Sequence, residues 1–503
     1  MIRKATVEGG VVRGIPAADP RITAFKGIPF AAPPVGENRW RAPQPVEPWD
    51  GELICAEFAP ISMQPIPGLN KDDIYSREWN VDPEIPMDED CLYLNVWTPA
   101  KSADEKLPVY VWYFGGGLQV GNPAEMEFDG ERLARRGIVV VTVNYRVNVF
   151  GFLAHPQLTA EQPEAPANFG HLDQQAGTRW VKRNIAAFGG DPDNITIGGQ
   201  SAGGGSVCAQ LTSPQNEGLF QKAIIESGMS GGVFGRMPRG TTFADAEQQG
   251  VKFFDFLGVK TLEEARALNA ELIRDKCTAF RGFFGTVSDG KFQLDNASNN
   301  LMRGKRLRVP LLVTRTTDEF KSGLRAESMD EFRQKAAEIF GDRADEFLSL
   351  CGDDLEKAVQ ASMTSGIEIA ARSLQHRDEE LGIDLPIYYG VFDAEIPGWD
   401  HPGTFHSVDL WFFFETLAKC WRPFVGKHYD LARQMCNYWA NFIRSGNPNG
   451  DDADGTPMPE WKPIRNDEPN AMWFADQSTP KVDTPDAMVQ LQKAVYMENM
   501  PKD

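Results

Sequence analysis

Histidine is scarce in this chain, with six in 503 residues, so any chemistry that needs an imidazole base has few candidates. The seven cysteines, Cys55, Cys91, Cys208, Cys277, Cys351, Cys420 and Cys436, include no CxxC pair, which argues against a zinc knuckle or a thioredoxin motif. Their odd number and scattered spacing favour free thiols in a reducing compartment. Long apolar runs are missing too. The longest, residues 138–143 (IVVVTV), falls far short of the roughly 20 residues that a membrane span needs, so no membrane partner is expected. Positive charge is in deficit, with 51 Lys and Arg against 71 Asp and Glu, and a net charge of −20 repels nucleic acid and anionic lipid alike. Residues 1–16 (MIRKATVEGGVVRGIP) lack the apolar run and cleavage site of a leader and read instead as a hairpin of the folded chain, which points to a cytoplasmic location. There is no repeat, no low-complexity tract and no linker, so residues 1–503 are expected to form one catalytic domain.

What is present is core-forming material, 42% hydrophobic and 11% aromatic. Short apolar runs at residues 109–114, 138–143, 195–197, 223–226, 309–314 and 386–392 read as buried strands of a mainly parallel sheet. Between them, residues 170–188 place Leu172, Ala176, Trp180, Ile185 and Phe188 on one helical face that stops at Gly189-Gly190. Strands alternating with helices predict an α/β fold. Two further stretches, residues 241–295 and 328–374, are helical by pattern and are expected as cap insertions beside the sheet. Residues 63–90, rich in Pro, Asp and Asn, predict a surface loop.

The chemistry centres on residues 198–206, GGQSAGGGS, in which Gly199-Gln200-Ser201-Ala202-Gly203 fits G-x-S-x-G between a β-branched run and a helix-like SVCAQL. In that context the pattern is a nucleophile turn, whose strained serine presents its hydroxyl to solvent and whose glycines remove clashing Cβ atoms. No lysine follows, so a phosphate loop is excluded. A serine nucleophile needs a base. Of the histidines beyond Ser201, His376 lies in a charged helical run, His428 precedes an amphipathic helix, and His401 and His406 share the loop HPGTFHSVDL. His406, which enters an aromatic segment, is the best placed. The acid is expected after an earlier strand, where VPLLVTRTTDEF offers Asp318 and Glu319, and spacing does not choose between them. Gly115-Gly116-Gly117 after VYVWYF would supply backbone N–H donors to an oxyanion.

These stretches, with FKGIPFAAPPVGENRWRAPQP, EDCLYLNVWTP, VNYRVNVFGFL, LFQKAIIESG and YWANFIRSGNPNG, resemble the type-B carboxylesterase family, which includes cholinesterases, liver carboxylesterases and bacterial p-nitrobenzyl esterases. The resemblance covers essentially the whole chain. It implies an α/β-hydrolase fold, with a large, mostly parallel sheet flanked by helices, and a serine carboxylesterase without cofactor or metal. It implies Ser201, Glu319 and His406 as the triad, the N–H groups of Gly116, Gly117 and Ala202 as the oxyanion hole, and Gln200, Ser227 and Asp409 as a second buried network. The expected partner is a small-molecule ester, with the protein a monomer or weak homo-oligomer of bacterial type.

Three departures from the family pattern stand out. Gln200 replaces the usual glutamate of the turn. Ser62 occupies the site from which secreted members join a cysteine to the equivalent of Cys91. Phe114 and Leu118 flank the glycines where other residues are common, and together with Trp399 and Phe405 they are expected to shape the substrate pocket, favouring short-chain or aryl and phenolic esters. Two rival readings are an inactive adhesion protein, which would lack a triad member, and a metal hydrolase built on Asp400, His401, His406 and Asp409, whose histidine spacing does not suit a zinc helix.

Overall fold

The computed structural model describes residues 1–234 and 242–500. Residues 4–13 form the expected N-terminal hairpin, Lys4–Val7 paired antiparallel with Gly10–Arg13. The main sheet comprises, in chain order, β1 (Ile15–Pro16), β2 (Thr23–Pro29), β3 (Tyr93–Thr98), β4 (Leu107–Tyr113), β5 (Val139–Val143), β6 (Gly190–Gln200), β7 (Lys222–Glu226), β8 (Leu311–Thr316), β9 (Ile387–Phe392), β10 (Asn470–Phe474) and β11 (Ser478–Val482). Their spatial order is β11-β10-β9-β8-β7-β6-β4-β5-β3-β2-β1. The seven strands from β10 to β5 are parallel, and antiparallel strands close both edges. All six apolar runs found in the sequence are strands of this sheet. Helices cover both faces of a parallel sheet, which is why β5 (VVVTV) is β-branched throughout and buried at every residue.

The helices that matter for the site are α1 (Ile74–Glu78), α2 (Phe169–Asn184), α3 (Ala202–Thr212), α4 (Phe243–Leu257), α5 (Leu262–Arg266), α6 (Ala270–Ala279), α7 (Met329–Phe340), α8 (Ala344–Cys351), α9 (Leu355–Ala361), α10 (Gly366–Glu380), α11 (Gly426–Ser445) and α12 (Ala487–Glu498). α2 continues as a 3-10 turn through Phe188 and stops at Gly189, whose φ of 79° is left-handed, as the glycine pair predicts. The first expected insertion is helical over α4 to α6 and irregular from residue 281 to its end at 295; residue 241 lies outside the described residues. The second is helical over α7, α8, α9 and the first part of α10. α7, α8 and α9 with α12 bury a small core of their own around Phe332, Phe340 and Phe347.

The stretch 63–90 departs from its reading as a surface loop. It contains α1, capped by the Asp73 carboxylate on the Ser76 N–H, and it buries Glu78 and Trp79. Aromatic and charged side chains on this tract meet partners from the 395–425 region, and a composition-based reading cannot register those distant partners. Among the described residues, no helix is long and apolar enough to cross a membrane.

Candidate active site

In a parallel sheet the carboxyl ends of neighbouring strands share one edge, and here the expected site residues leave that edge one strand after another. Tyr113 at the end of β4 lies in register with Gly199 of β6, so the glycine turn after β4 sits beside Ser201 after β6. Gln200 is in register with Glu226 at the end of β7, Ser227 follows, and Glu319 and His406 come from the segments after β8 and β9.

Ser201 adopts φ 57° and ψ −125°, a conformation costly for a side-chain-bearing residue, on the order of 1–3 kcal/mol, and its N–H donates to the Glu226 carbonyl at 2.9 Å. α3 starts at the next residue. The turn closes only because position 203 lacks a side chain: a Cβ there would collide with the Tyr113 carbonyl. Gly116 is held in the same way, with φ 109° and the Val120 carbonyl where a Cβ would stand. Among the described residues, the N–H groups of Gly116, Gly117 and Ala202 have no acceptor, Ala202 because it is the first residue of its helix. Three unpaired donors beside a strained serine are what a developing oxyanion requires.

Of the two carboxylates that spacing left open, Glu319 is the one that touches the imidazole. Glu319 Oε2 lies 2.6 Å from His406 Nδ1, and Glu319 Oε1 accepts the Thr316 N–H at 3.2 Å. Asp318 faces the other way. Its carboxylate accepts the Thr404 N–H at 2.9 Å, and its backbone bridges Phe405, so it fastens the acid loop to the histidine loop. Burial pulls the Glu319 carboxyl upward, but the hydrogen bond and charge of His406, then Ser227 and the Thr316 N–H, outweigh it and leave Glu319 below the usual glutamate range.

His406 is buried, and its other ring nitrogen, Nε2, lies 3.3 Å from the Gln200 amide nitrogen. With Nδ1–H donating to Glu319, Nε2 carries the lone pair and accepts from the amide. The departure from the family pattern therefore touches the imidazole directly. Behind it, burial and then the Glu319 charge push the Asp409 carboxyl up to about 7. Glu226, buried and next to Asp409, is raised well above the usual range and accepts the Trp439 indole N–H at 2.7 Å. Glu319 thus touches the imidazole, Asp409 lies close enough to feel its charge, and Asp409 and Glu226 are both held toward their neutral forms.

Of the expected pocket residues, Phe405 packs beside the site, stacked on Trp79 at 6.4 Å between ring centroids. The other three sit in different surroundings. Phe114 is wholly buried, stacks on Tyr145 at 4.1 Å and gives its carbonyl to the Tyr145 hydroxyl, so it fills the core beneath the turn. Leu118, also buried, takes a left-handed φ of 61° and accepts the Asn148 N–H. Trp399 is 73% exposed, against Trp421 and the Arg77 guanidinium on the surface, because Asp400 beside it is drawn into an ion-pair cluster with Arg422 and Arg77. Of the four residues of the metal-hydrolase reading, Asp400 lies in that cluster, His401 is exposed, His406 is on Glu319, and Asp409 is buried behind the imidazole.

Sequence reasoning missed Phe320, which is 65% exposed and yet lies over the His406 imidazole at 4.5 Å between centroids. Its position directly after the acid in TTDEF was the available signal. It also missed Tyr75 and Trp79, four apart on and just beyond α1, which approach Phe405 at the same mouth. Their i, i+4 spacing was legible, but not what they would face. Glu78 was missed too. Fully buried, it pairs with the equally buried Arg422 at 2.5 Å and pins this tract beside the histidine loop.

The seven cysteines are unpaired, and the Cys91 thiol lies against the Ser62 hydroxyl, where the lost disulfide partner was expected.

Comparison with known proteins gives the same lineage. The model of the carboxylesterase family matches residues 2–493. The chain is 32% identical to the para-nitrobenzyl esterase of Bacillus subtilis (strain 168) over 466 residues, covering 88% of this chain and 90% of that one. It is 35% identical to the fumonisin B1 esterase of Sphingopyxis macrogoltabida over 471 residues, 88% of this chain and 82% of that one. A solved PNB esterase superposes with a TM-score of 0.81 at 29% identity, covering 98% of this chain and 99% of the other. The sheet and its flanking helices are those of the α/β-hydrolase fold.

Proposed function

We propose a mechanism and a substrate range for this chain, which belongs to the carboxylesterase family and is a carboxylic ester hydrolase. Ser201 Oγ attacks the ester carbonyl, and His406 Nε2 takes its proton. Glu319 orients the ring and balances the imidazolium, while the N–H groups of Gly116, Gly117 and Ala202 receive the oxyanion. The imidazolium then protonates the leaving alcohol, and water repeats the sequence on the acyl-enzyme. The observation that carries this reading is the pair of contacts on one ring, Glu319 at 2.6 Å on Nδ1 and the residue preceding the strained serine at 3.3 Å from Nε2.

The substrates are short-chain or aryl esters. Phe320 lies on the imidazole, and Tyr75 and Trp79 pack on Phe405, the residue before His406; this aromatic surface supports a preference for flat acyl or alcohol groups. Operation in a reducing compartment such as the cytoplasm is supported by seven unpaired thiols.

The test is kinetic and covalent. With p-nitrophenyl butyrate, Ser201→Ala and Glu319→Gln should each lower kcat/KM by about 10³–10⁴-fold or more. An organophosphate should label the wild type once, at Ser201. Retention of a tenth of the activity in Ser201→Ala, or labelling elsewhere, refutes the assignment.

A further inference from the structure

A cavity of about 840 Å³ opens between α10, α12 and the segments 464–469 and 484–485, and no residue of the proposed triad or oxyanion hole lines it. That volume is within the range of small-molecule sites. Its wall is unusual for this chain. Where the whole sequence has fewer basic than acidic residues, the cavity collects Arg372, Arg377, Arg465 and Lys493, with His376 among them, against three carboxylates.

The cations are not equally occupied. Arg372 is saturated by Glu368 and Asp483, and Arg377 pairs with Glu380. Arg465 has one distant partner, Asp384 at 3.5 Å. Lys493 forms no ion pair among the described residues, and its Nζ has one contact, the His376 Nδ1 at 3.4 Å. The opposite ring nitrogen of His376 lies 3.2 Å from the Glu380 carboxylate, so the imidazole donates there and accepts from the ammonium. One ammonium hydrogen is thereby used, and the other two have no protein acceptor among the described residues. Burial, and then the charge of Arg372, hold the Lys493 ammonium below the usual lysine range although Glu379 and Glu380 oppose the shift. A cation in that situation is relieved by an anion. Apolar surface adjoins it, from Ile464, Pro485 and Met497.

We propose that this cavity is a second binding site, for a small organic carboxylate whose anionic end sits on Lys493 and Arg465 and whose hydrocarbon part lies on Ile464, Pro485 and Met497. Charge and an apolar wall side by side fit an amphipathic acid better than a bare inorganic anion. The proposal is independent of how the triad works.

Hexanoate is the probe, titrated calorimetrically into the full-length protein, with 1-hexanol and inorganic phosphate as parallel titrants. Saturable hexanoate binding is expected, with hexanol and phosphate each at least about fivefold weaker, a factor of roughly a single lost charged or apolar contact. Lys493→Met keeps the stem and removes the charge, and it should weaken hexanoate about fivefold or more while p-nitrophenyl acetate turnover stays at the wild-type level. Arg465→Gln, at a partly exposed position, repeats the test where folding is not at stake. The proposal is overturned if hexanoate shows no saturation, if both variants bind it as the wild type does, or if phosphate binds as tightly as hexanoate.

Discussion

Replacing Gln200 with glutamate tests the most informative departure of this site from the family pattern. In the wild type the amide nitrogen stands 3.3 Å from His406 Nε2 and, as a donor, matches the unprotonated ring. A carboxylate at the same place matches only the protonated ring. For unit charges about 4 Å apart at an effective dielectric near 20, the attraction is about 4 kcal/mol. Two effects reduce it. Position 200 is almost fully buried, which penalises the new charge, and Glu319 already bears a negative charge on the other side of the ring. A net effect of roughly 1.5–3 kcal/mol remains, equivalent to about one to two pH units. Because protonation of the ring removes the base, the acidic limb of kcat/KM should move to higher pH in Gln200→Glu by about that amount. The assay is p-nitrophenyl acetate hydrolysis from pH 4 to 9, with thermal unfolding of both proteins as a check on folding. A limb that stays put, or moves to lower pH, refutes the electrostatic role assigned to Gln200.

Three further outcomes are expected. Phe320→Ala removes the ring that covers the imidazole and should raise KM for aryl esters about 2–10-fold, with a smaller change for alkyl acetates, as read from paired kinetics on phenyl and ethyl acetate. Asp409, raised in the fold to about 7, binds a proton that the unfolded chain releases near 4, so wild-type stability should fall as pH climbs between these values, by about 1.4 kcal/mol per unit from this group at most. Asp409→Asn should flatten that slope in urea melts at pH 5, 6 and 7, and an unchanged slope counts against a buried neutral acid. Arg422→Met leaves Glu78 and Asp400 without their shared cation and should cost about 3–5 kcal/mol, read as a lower urea midpoint. If Glu78 and Arg422 also hold α1 beside the site, KM for aryl esters rises with it.

The amino-acid sequence alone was sufficient for the layers of the fold and for the sharp turn that carries Ser201. β5 and its neighbour β4 are short runs rich in β-branched and aromatic residues bounded by turn signals, the pattern of buried strands, and the glycines of GGQSAGGG leave few backbones other than a sharp turn into a helix. Such features depend on neighbours in the chain, so local chemistry suffices to read them. The pairing of acid and base did not have that character. Asp318 and Glu319 are adjacent carboxylates, equally good on paper, and they differ only in direction: one meets Thr404, the other His406. The aromatic residues near His406 were equally ambiguous. Trp399 looked like a pocket wall and lies on the surface, Phe114 looked like one and lies in the core, while Phe320 and Trp79 went unnoticed and stand at the site. Side-chain direction at the edge of a sheet is set by contacts between loops dozens to hundreds of residues apart. The sequence therefore determined the scaffold and the kind of chemistry, and tertiary packing alone decided which carboxylate, which amide and which rings surround the imidazole.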